Sequence, residues 1–129
     1  MVITSDLNEA RRLEEQLLEE VARRGYGKAE IFAIRLALEE VLVNAIKHGN
    51  KYDQNKSIQV DHEIDENRVV FTITDEGEGF HPADVPDPTA DENLEKPCGR
   101  GLMLMQAFMD EVVYNNRGNQ VRLIKRKSS

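Results

Sequence analysis

Two polar side chains on one face of a helical stretch are the first candidates for chemistry in this sequence. The stretch from Ile31 to Asn50 has apolar residues at intervals of three and four, which predicts a helix with one buried face. Glu40 and Asn44 lie four residues apart on its other face, one turn above each other. A carboxylate and a carboxamide that face one space can hold a proton acceptor beside a metal ligand.

Two glycine-rich segments suggest phosphate binding, because glycine lets backbone N–H groups approach anionic oxygens closely. They are DEGEGF at Asp75–Phe80 and GRGL at Gly99–Leu102. A dinucleotide-binding loop joins a strand directly to a helix, whereas DEGEGF leads into a proline-bearing segment. The lysine loop GxxxxGK followed by Ser or Thr is absent. Neither of these common phosphate loops fits the sequence.

A site divided among separate segments does fit. Gly99–Gly101 precede a predicted helix, whose N-terminus could hold phosphates. Asp75 could accept a hydrogen bond from an exocyclic amine such as that of adenine. Asn44 could give an oxygen to a Mg²⁺ ion held by phosphates, and Glu40 could accept a proton from an attacking hydroxyl or water. Together these roles imply ATP and Mg²⁺.

Each segment also has an ordinary structural explanation. Glu40 and Asn44, taken alone, are more typical of a solvent-facing surface. DEGEGF alone is compatible with a tight turn, and GRG alone with a helix start. Their occurrence together, in this order, favours the site.

The histidines and the cysteine add little to this site. His48 lies one turn beyond Asn44 and could touch the cofactor, although a histidine that favours the helix dipole is equally compatible with its position. His62, His81 and Cys98 show no metal-ligand spacing with one another. No zinc site is therefore expected.

The rest of the pattern predicts the elements that position these residues. A β-favouring start leads into an amphipathic helix capped by Ser5 or Asp6, and alternating apolar residues indicate two antiparallel hairpins. A proline-bearing segment without periodicity, 81–98, is long enough to predict a functional lid. In order, the predicted elements are a start at 1–5, a helix at 7–24 ended by GYG at 25–27, the helix at 31–50, strands around 58–64 and 69–73 with a turn at 65–67, the lid, a helix from 99 to 109, and a hairpin of EVVYNN and QVRLIKR with a turn at 117–119.

This order predicts an α+β fold, a two-layer sandwich with a mixed, mostly antiparallel sheet and helices on one face. The length of 129 residues suits a single domain, 1–129, and 40% hydrophobic residues can supply one core. The net charge of −7 argues against general affinity for nucleic acid or anionic membranes. A basic cluster, RLIKRK at Arg122–Lys127, is interpreted as a solvated edge strand. One cysteine, no signal peptide and no apolar run of membrane-spanning length predict a cytoplasmic protein.

The three segments carry a family resemblance. EVLVN at Glu40–Asn44, DEGEGF and GRGL resemble, in that order and at comparable spacings, the N box and the two glycine boxes of the GHKL ATP-binding superfamily. The resemblance covers nearly the whole chain and implies the Bergerat, or histidine-kinase-like ATPase, fold. NAIKHGN and GRGLMLM with MDEV are most similar to the small stand-alone serine-protein kinases that act as anti-sigma factors in bacterial partner switching.

The resemblance implies a role for each matching position. It makes Glu40 the general base and Asn44 the magnesium ligand. Glu39 points about a third of the way round the helix and is given no catalytic role. The positions implied for the nucleotide are Asp75 as adenine reader, Gly77, Gly79 and Phe80 around the pocket, and Gly99, Arg100, Gly101 and Leu102 on the phosphate side of the lid. Cys98 stands where relatives often have a small residue such as serine.

The sequence is compatible with three alternative functions. The first hypothesis is a serine/threonine protein kinase that phosphorylates an anti-sigma-factor antagonist and sequesters a sigma factor when free. The second is a non-enzymatic module whose ATP sets the conformation recognised by its partner. The third, ranked lower, is a detached catalytic domain of the histidine-kinase type. The sequence leaves the oligomeric state open, although the resemblance makes a homodimer through the sheet and the N-terminal helix one expectation.

Overall fold

The computed structural model describes residues 1–77, 107–115 and 118–127, and all structural statements below concern these residues. Within them the chain forms five strands, two α-helices and one π-helical turn. In chain order these are β1 (Val2–Thr4), α1 (Leu7–Arg23), α2 (Lys28–Asn44), the π-helical turn (Ala45–Gly49), β2 (Ser57–Ile64), β3 (Arg68–Thr74), β4 (Glu111–Tyr114) and β5 (Gln120–Arg126). None of the described helices is long and apolar enough to cross a membrane.

The strands form one sheet in the order β1-β2-β3-β5-β4, and every described pair is antiparallel. Both predicted hairpins are confirmed. The β-favouring start becomes an edge strand that pairs Val2 with Gln59. The interpretation of Arg122–Lys127 as an edge strand is wrong, because β5 lies between β3 and β4. Sheet position depends on pairing between segments that are distant in sequence, and local charge carries no such information.

Both helices pack on one face of this sheet, as the α+β prediction requires. Phe71 and Leu123 are directly paired on β3 and β5, and both are fully buried beneath the helices. The helices contribute side chains such as Leu17, Ile34 and Leu38 to the same core. Among the described residues, four polar ones are also buried: Ser5, Glu14, Glu30 and Asn50.

Helix α1 begins where the sequence predicts. Asp6 is its N-cap, and Oδ1 of Asp6 accepts a hydrogen bond of 2.7 Å from the backbone N–H of Asn8. Ser5, the other predicted cap, is buried and donates instead to the carbonyl oxygen of Lys56 at 3.0 Å. The helix ends before Gly25, whose φ of 86° is a conformation that favours glycine.

The connection between α1 and α2 is tied to the turn between β2 and β3. The hydroxyl of Tyr26 donates to the carbonyl oxygen of Asp65 at 2.8 Å. Nζ of Lys127 lies 5.1 Å from the centroid of the Tyr26 ring and donates to the carbonyl oxygen of Arg24 at 2.7 Å. The N-terminal end of α2 is therefore attached to the end of the sheet that lies opposite Asp75.

Helix α2 differs from the prediction at both ends. It begins at Lys28 rather than Ile31, because Oε1 of Glu30 accepts from the N–H of Gly27 at 2.7 Å and caps a polar first turn that has no apolar periodicity. Its α-helical part ends at Asn44, and the chain continues as a π-helical turn. The N–H of Asn50 donates to the carbonyl oxygen of Ala45 at 2.7 Å and closes this wider turn.

Candidate functional site

Glu40 and Asn44 lie on the last two turns of α2, and the structure brings them together. The side-chain amide nitrogen of Asn44 donates to Oε1 of Glu40 at 3.1 Å. Both side chains are half-buried, at the end of the helix that leads into the π-helical turn. Because the hydrogen bond uses the nitrogen of Asn44, the atom that could contact a cation is its carbonyl oxygen.

The surroundings of Glu40 raise the pKa of its carboxyl group above the ordinary value. Burial is the main cause, since it disfavours the charged form, and the hydrogen bond from Asn44 and the charge of His48 act in the opposite direction. A carboxylate with a raised pKa accepts protons more readily near neutral pH. His48 itself lies on the exposed side of the π-helical turn.

Asp75 follows β3 immediately and faces the end of the π-helical turn. It is half-buried, and its Oδ1 accepts a hydrogen bond of 2.7 Å from the N–H of Gly77. A Cβ added to Gly49 would lie 2.5 Å from Oδ2 of Asp75. Glycine at position 49 therefore allows the carboxylate of Asp75 to pack against the end of the helix that carries Glu40 and Asn44.

Gly77 makes the second close contact between these segments. A Cβ at this position would lie 2.2 Å from the carbonyl oxygen of Gly49, a distance that no side chain can occupy. The two glycines allow the DEG turn and the end of the π-helical turn to meet backbone against backbone. This packing explains why position 77 requires glycine, and the phosphate interpretation of the sequence did not include this explanation.

Asn50 is a site residue that the sequence analysis missed. It is 0% exposed, and its amide nitrogen donates to Oγ of Ser5 and to the carbonyl oxygen of Ser57, each at 3.0 Å. Its Oδ1 accepts a hydrogen bond of 2.8 Å from the N–H of Glu76. One buried side chain thus joins the end of the helix, the start of β2 and the DEG turn.

Asn119 holds the same turn from the β4–β5 connection, and it was also missed. Its side-chain amide nitrogen donates to the backbone carbonyl oxygen of Asp75 at 3.1 Å. Its backbone carbonyl oxygen accepts from the N–H of Asp75 at 2.9 Å. Asparagine after a helix or in a turn is common, so neither Asn50 nor Asn119 carried a recognisable signal in the sequence.

The remaining predicted site residues lie outside the described part of the chain. They are Gly79, Phe80, Gly99, Arg100, Gly101 and Leu102, together with the lid at 81–98 and Cys98. Their roles in nucleotide binding stay predictions.

The described part of the site brings three functions into one corner of the fold. A half-buried carboxylate with a raised pKa lies beside an amide whose oxygen is a suitable ligand for a hard cation. A second carboxylate, that of Asp75, is held against the end of the same helix. Two carboxylates and one amide oxygen, groups that can accept hydrogen bonds, protons or a hard cation, thus lie on neighbouring elements.

A known protein family matches most of the chain. The family described as the histidine kinase-like ATPase domain matches residues 3–125, which include all of the described site. The match spans both helices and all of the described sheet except Val2 of β1 and Arg126 of β5.

Three curated relatives are similar over most of the chain. The serine-protein kinase RsbW of Bacillus subtilis is 34% identical over 113 residues, covering 81% of this chain and 69% of the relative. An anti-sigma F factor of Clostridium perfringens is 31% identical over 102 residues, covering 76% and 72%. An anti-sigma F factor of a Geobacillus species is 36% identical over 102 residues, covering 74% and 69%.

A solved structure has the same fold. A crystal structure of the RsbU and RsbW domains of a Mycobacterium tuberculosis protein superposes with a TM-score of 0.60 at 19% sequence identity. The superposition covers 98% of this chain and 31% of that chain, so the present chain corresponds to about one third of the chain in that structure.

Proposed function

The chain belongs to the histidine kinase-like ATPase domain family, and from this membership we propose that it is an ATP-dependent serine-protein kinase that acts as an anti-sigma factor. Its substrate would be a serine of an anti-sigma-factor antagonist protein. The observation that carries the proposal is the hydrogen-bonded pair of Glu40 and Asn44 on a helix whose following π-helical turn packs against Asp75, in a chain similar to proteins named serine-protein kinase and anti-sigma F factor.

ATP would be recognised through its adenine by Asp75. The carboxylate is an acceptor only, so it suits an exocyclic amine and not a carbonyl group at the same position of the base. Gly77 would lie beside the base, where its lack of a side chain already permits contact with Gly49. Gly79, Phe80 and the GRGL segment at 99–102 would supply the rest of the pocket.

Mg²⁺ fits the donor set at the end of α2. Asn44 would give the ion one neutral oxygen, as expected for a site in which phosphates and water supply most of the ligands. The bound ion would neutralise charge on the transferring phosphoryl group. The amide of Asn44 is already oriented by its bond to Glu40, and His48 lies close enough for its charge to lower the pKa of that carboxyl group.

Glu40 would act as the general base of the transfer. The serine oxygen of the antagonist attacks the γ-phosphorus, the bond to the ADP oxygen breaks, and the serine proton passes to the carboxylate of Glu40. The raised pKa of this group favours proton acceptance near neutral pH. The bond from Asn44 keeps the carboxylate on the side of the helix where the phosphates would lie.

The second candidate function is ATP-dependent binding without phosphoryl transfer. It is favoured by relatives that are named anti-sigma F factor and not kinase. Incubation of the purified protein with Mg²⁺, γ-labelled ATP, a candidate antagonist protein and a candidate sigma factor tests both candidates. Label on an antagonist serine supports the kinase, whereas a stable complex with sigma factor and no label supports the binding module.

A homodimer would use the sheet face that lies away from the helices. Exposed Val2 and Val113 lie near opposite edges of this face, with acidic Asp61 on β2 and basic Arg122 on β5. Such a face is complementary to itself after a twofold rotation, since acidic and basic strands exchange places. Dissociation of an Arg122→Glu variant in analytical ultracentrifugation would support this interface.

The proposed cellular location of the protein is the cytoplasm.

A further inference from the structure

We propose that Asn50 and Asn119 are positioning residues for adenine recognition, because they hold the peptide group between Asp75 and Glu76 from both sides. This inference rests on the proposed function, since it takes Asp75 as the residue that reads adenine. The two asparagines would set the direction in which the Asp75 carboxylate is presented, without touching the nucleotide themselves.

The contacts divide neatly between the two ends of one peptide group. Its N–H, from Glu76, donates to Oδ1 of Asn50 at 2.8 Å. Its carbonyl oxygen, from Asp75, accepts from the amide nitrogen of Asn119 at 3.1 Å. The plane of this peptide is therefore fixed by side chains from two segments that are far apart in sequence.

The peptide group that precedes Asp75 is held as well. Its N–H donates to the backbone oxygen of Asn119 at 2.9 Å. With both flanking peptide planes fixed, the φ and ψ angles of Asp75 are set and only its side-chain torsions remain. Gly49 packs against the carboxylate, and the N–H of Gly77 bonds its Oδ1, so these torsions are restricted too.

Each asparagine is itself oriented by further hydrogen bonds. The amide nitrogen of Asn50 donates to Ser5 Oγ and to the carbonyl oxygen of Ser57. The side-chain oxygen of Asn119 accepts from the amide of Asn115 at 2.9 Å. Neither carboxamide can rotate to exchange its donor and acceptor without losing these bonds, which makes both suitable for holding a backbone turn in one geometry.

Ser5 supplies a matched control for this proposal. It is 1% exposed and accepts a bond from Asn50, yet it has no described bond to the Asp75–Gly77 turn. Ser5→Ala removes two hydrogen bonds of the same network, the one from Asn50 and the one to Lys56, while the bonds of Asn50 to Ser57 and Glu76 do not involve Ser5. A loss caused by general loosening would affect Ser5→Ala and Asn50→Ala alike, whereas a positioning role would separate them.

The test measures the affinities of ATP and inosine triphosphate by calorimetry. Inosine triphosphate has a carbonyl oxygen in place of the exocyclic amine of adenine, so its phosphates and sugar are unchanged. The wild-type protein should prefer ATP, and Asp75→Asn should lose this preference. Asn50→Ala and Asn119→Ala should each lower the ATP preference roughly tenfold, with little change in the affinity for inosine triphosphate.

The outcomes separate the inference from the function on which it rests. Equal binding of both nucleotides by the wild-type protein would overturn the adenine role of Asp75 and this inference with it. A wild-type preference that persists in both asparagine variants would overturn the positioning role alone, and so would an equal loss in Ser5→Ala. If Asn50→Ala does not fold, the half-buried Asn119→Ala decides the question by itself.

Discussion

The side-chain amide of Asn44 donates to the carboxylate of Glu40 at 3.1 Å, so a hydrogen bond joins the proposed metal ligand directly to the proposed base. A cation at Asn44 and a proton on Glu40 would therefore influence each other through one hydrogen bond. This relationship gives each residue a distinct prediction, because one change removes the base and the other changes its surroundings.

Glu40→Gln should retain ATP binding and lose phosphoryl transfer by a factor of about 10² or more, because an amide cannot accept the proton. The measurement is transfer of label from ATP to the antagonist, with ATP affinity determined in parallel. Glu39→Gln is the control, since Glu39 is an exposed neighbour on the same helix. Transfer at the wild-type rate by Glu40→Gln would remove this residue from the mechanism.

Asn44→Ala should shift the pH dependence of transfer as well as weaken the response to Mg²⁺. The hydrogen bond from Asn44 stabilises the charged form of Glu40, so its removal raises the pKa of that carboxyl group further. The rise in rate with pH should consequently move to higher pH. Rate profiles at several Mg²⁺ concentrations check this, and an unshifted profile would show that the bond has no catalytic influence.

Gly77→Ala should be much more damaging than Gly49→Ala. The new Cβ at position 77 would meet a backbone oxygen at 2.2 Å, whereas the nearest atoms to the one at position 49 belong to the side chain of Asp75. The first must displace backbone and should destabilise the fold by roughly 1–3 kcal/mol or more. The second can be relieved by rotation of Asp75, which should lower ATP affinity more than stability. Urea denaturation and calorimetry of both variants test this contrast.

Glu14→Gln should change stability in a pH-dependent manner. Burial is the main reason that the pKa of Glu14 rises from 4.5 to about 7, and the negative charge of Glu39 contributes, while Arg35 opposes the shift. The folded chain thus binds this proton more tightly than the unfolded chain. The resulting stability is present below about pH 4.5 and is lost as the pH rises through about 7.

The variant removes this dependence. Glu14→Gln should exceed the wild type by roughly 1–3 kcal/mol at pH 8 and match it near pH 4. Urea denaturation at both values measures the difference. Glu15→Gln is the control, because Glu15 forms an exposed ion pair with Arg35 and should change stability little at either pH. An equal gain in both variants would contradict the assignment to burial of Glu14.

The sequence predicted those parts of the fold that depend on neighbouring residues. Period-two alternation located β2 and β3, and the spacing of four located Glu40 and Asn44 on one helix face. Both patterns reflect which side chains of a single element face the core. The sequence pattern did not predict that α2 begins at Lys28, because the first turn of this helix is held by the polar contact of Glu30 and not by an apolar face.

The sequence could not predict contacts that join distant segments. Asn50 and Glu76 are 26 residues apart, and Asn119 and Asp75 are 44 residues apart. Their hydrogen bonds exist only after the sheet order has brought the segments together. The wrong interpretation of Arg122–Lys127 has the same origin, because the number of neighbours that a strand has is a property of the assembled sheet.

The contact between Tyr26 and Asp65 acquires a further meaning from the direction of α2. This contact fixes the chain just before α2 begins, and Glu40 lies about 18 Å along the helix axis from Lys28. A tilt of about 3° at this pivot would move Glu40 by about 1 Å, an error of a size that can cost catalysis about 10²-fold. The position of the Glu40 carboxylate therefore depends partly on the hydrogen bond of a tyrosine hydroxyl near the opposite end of α2.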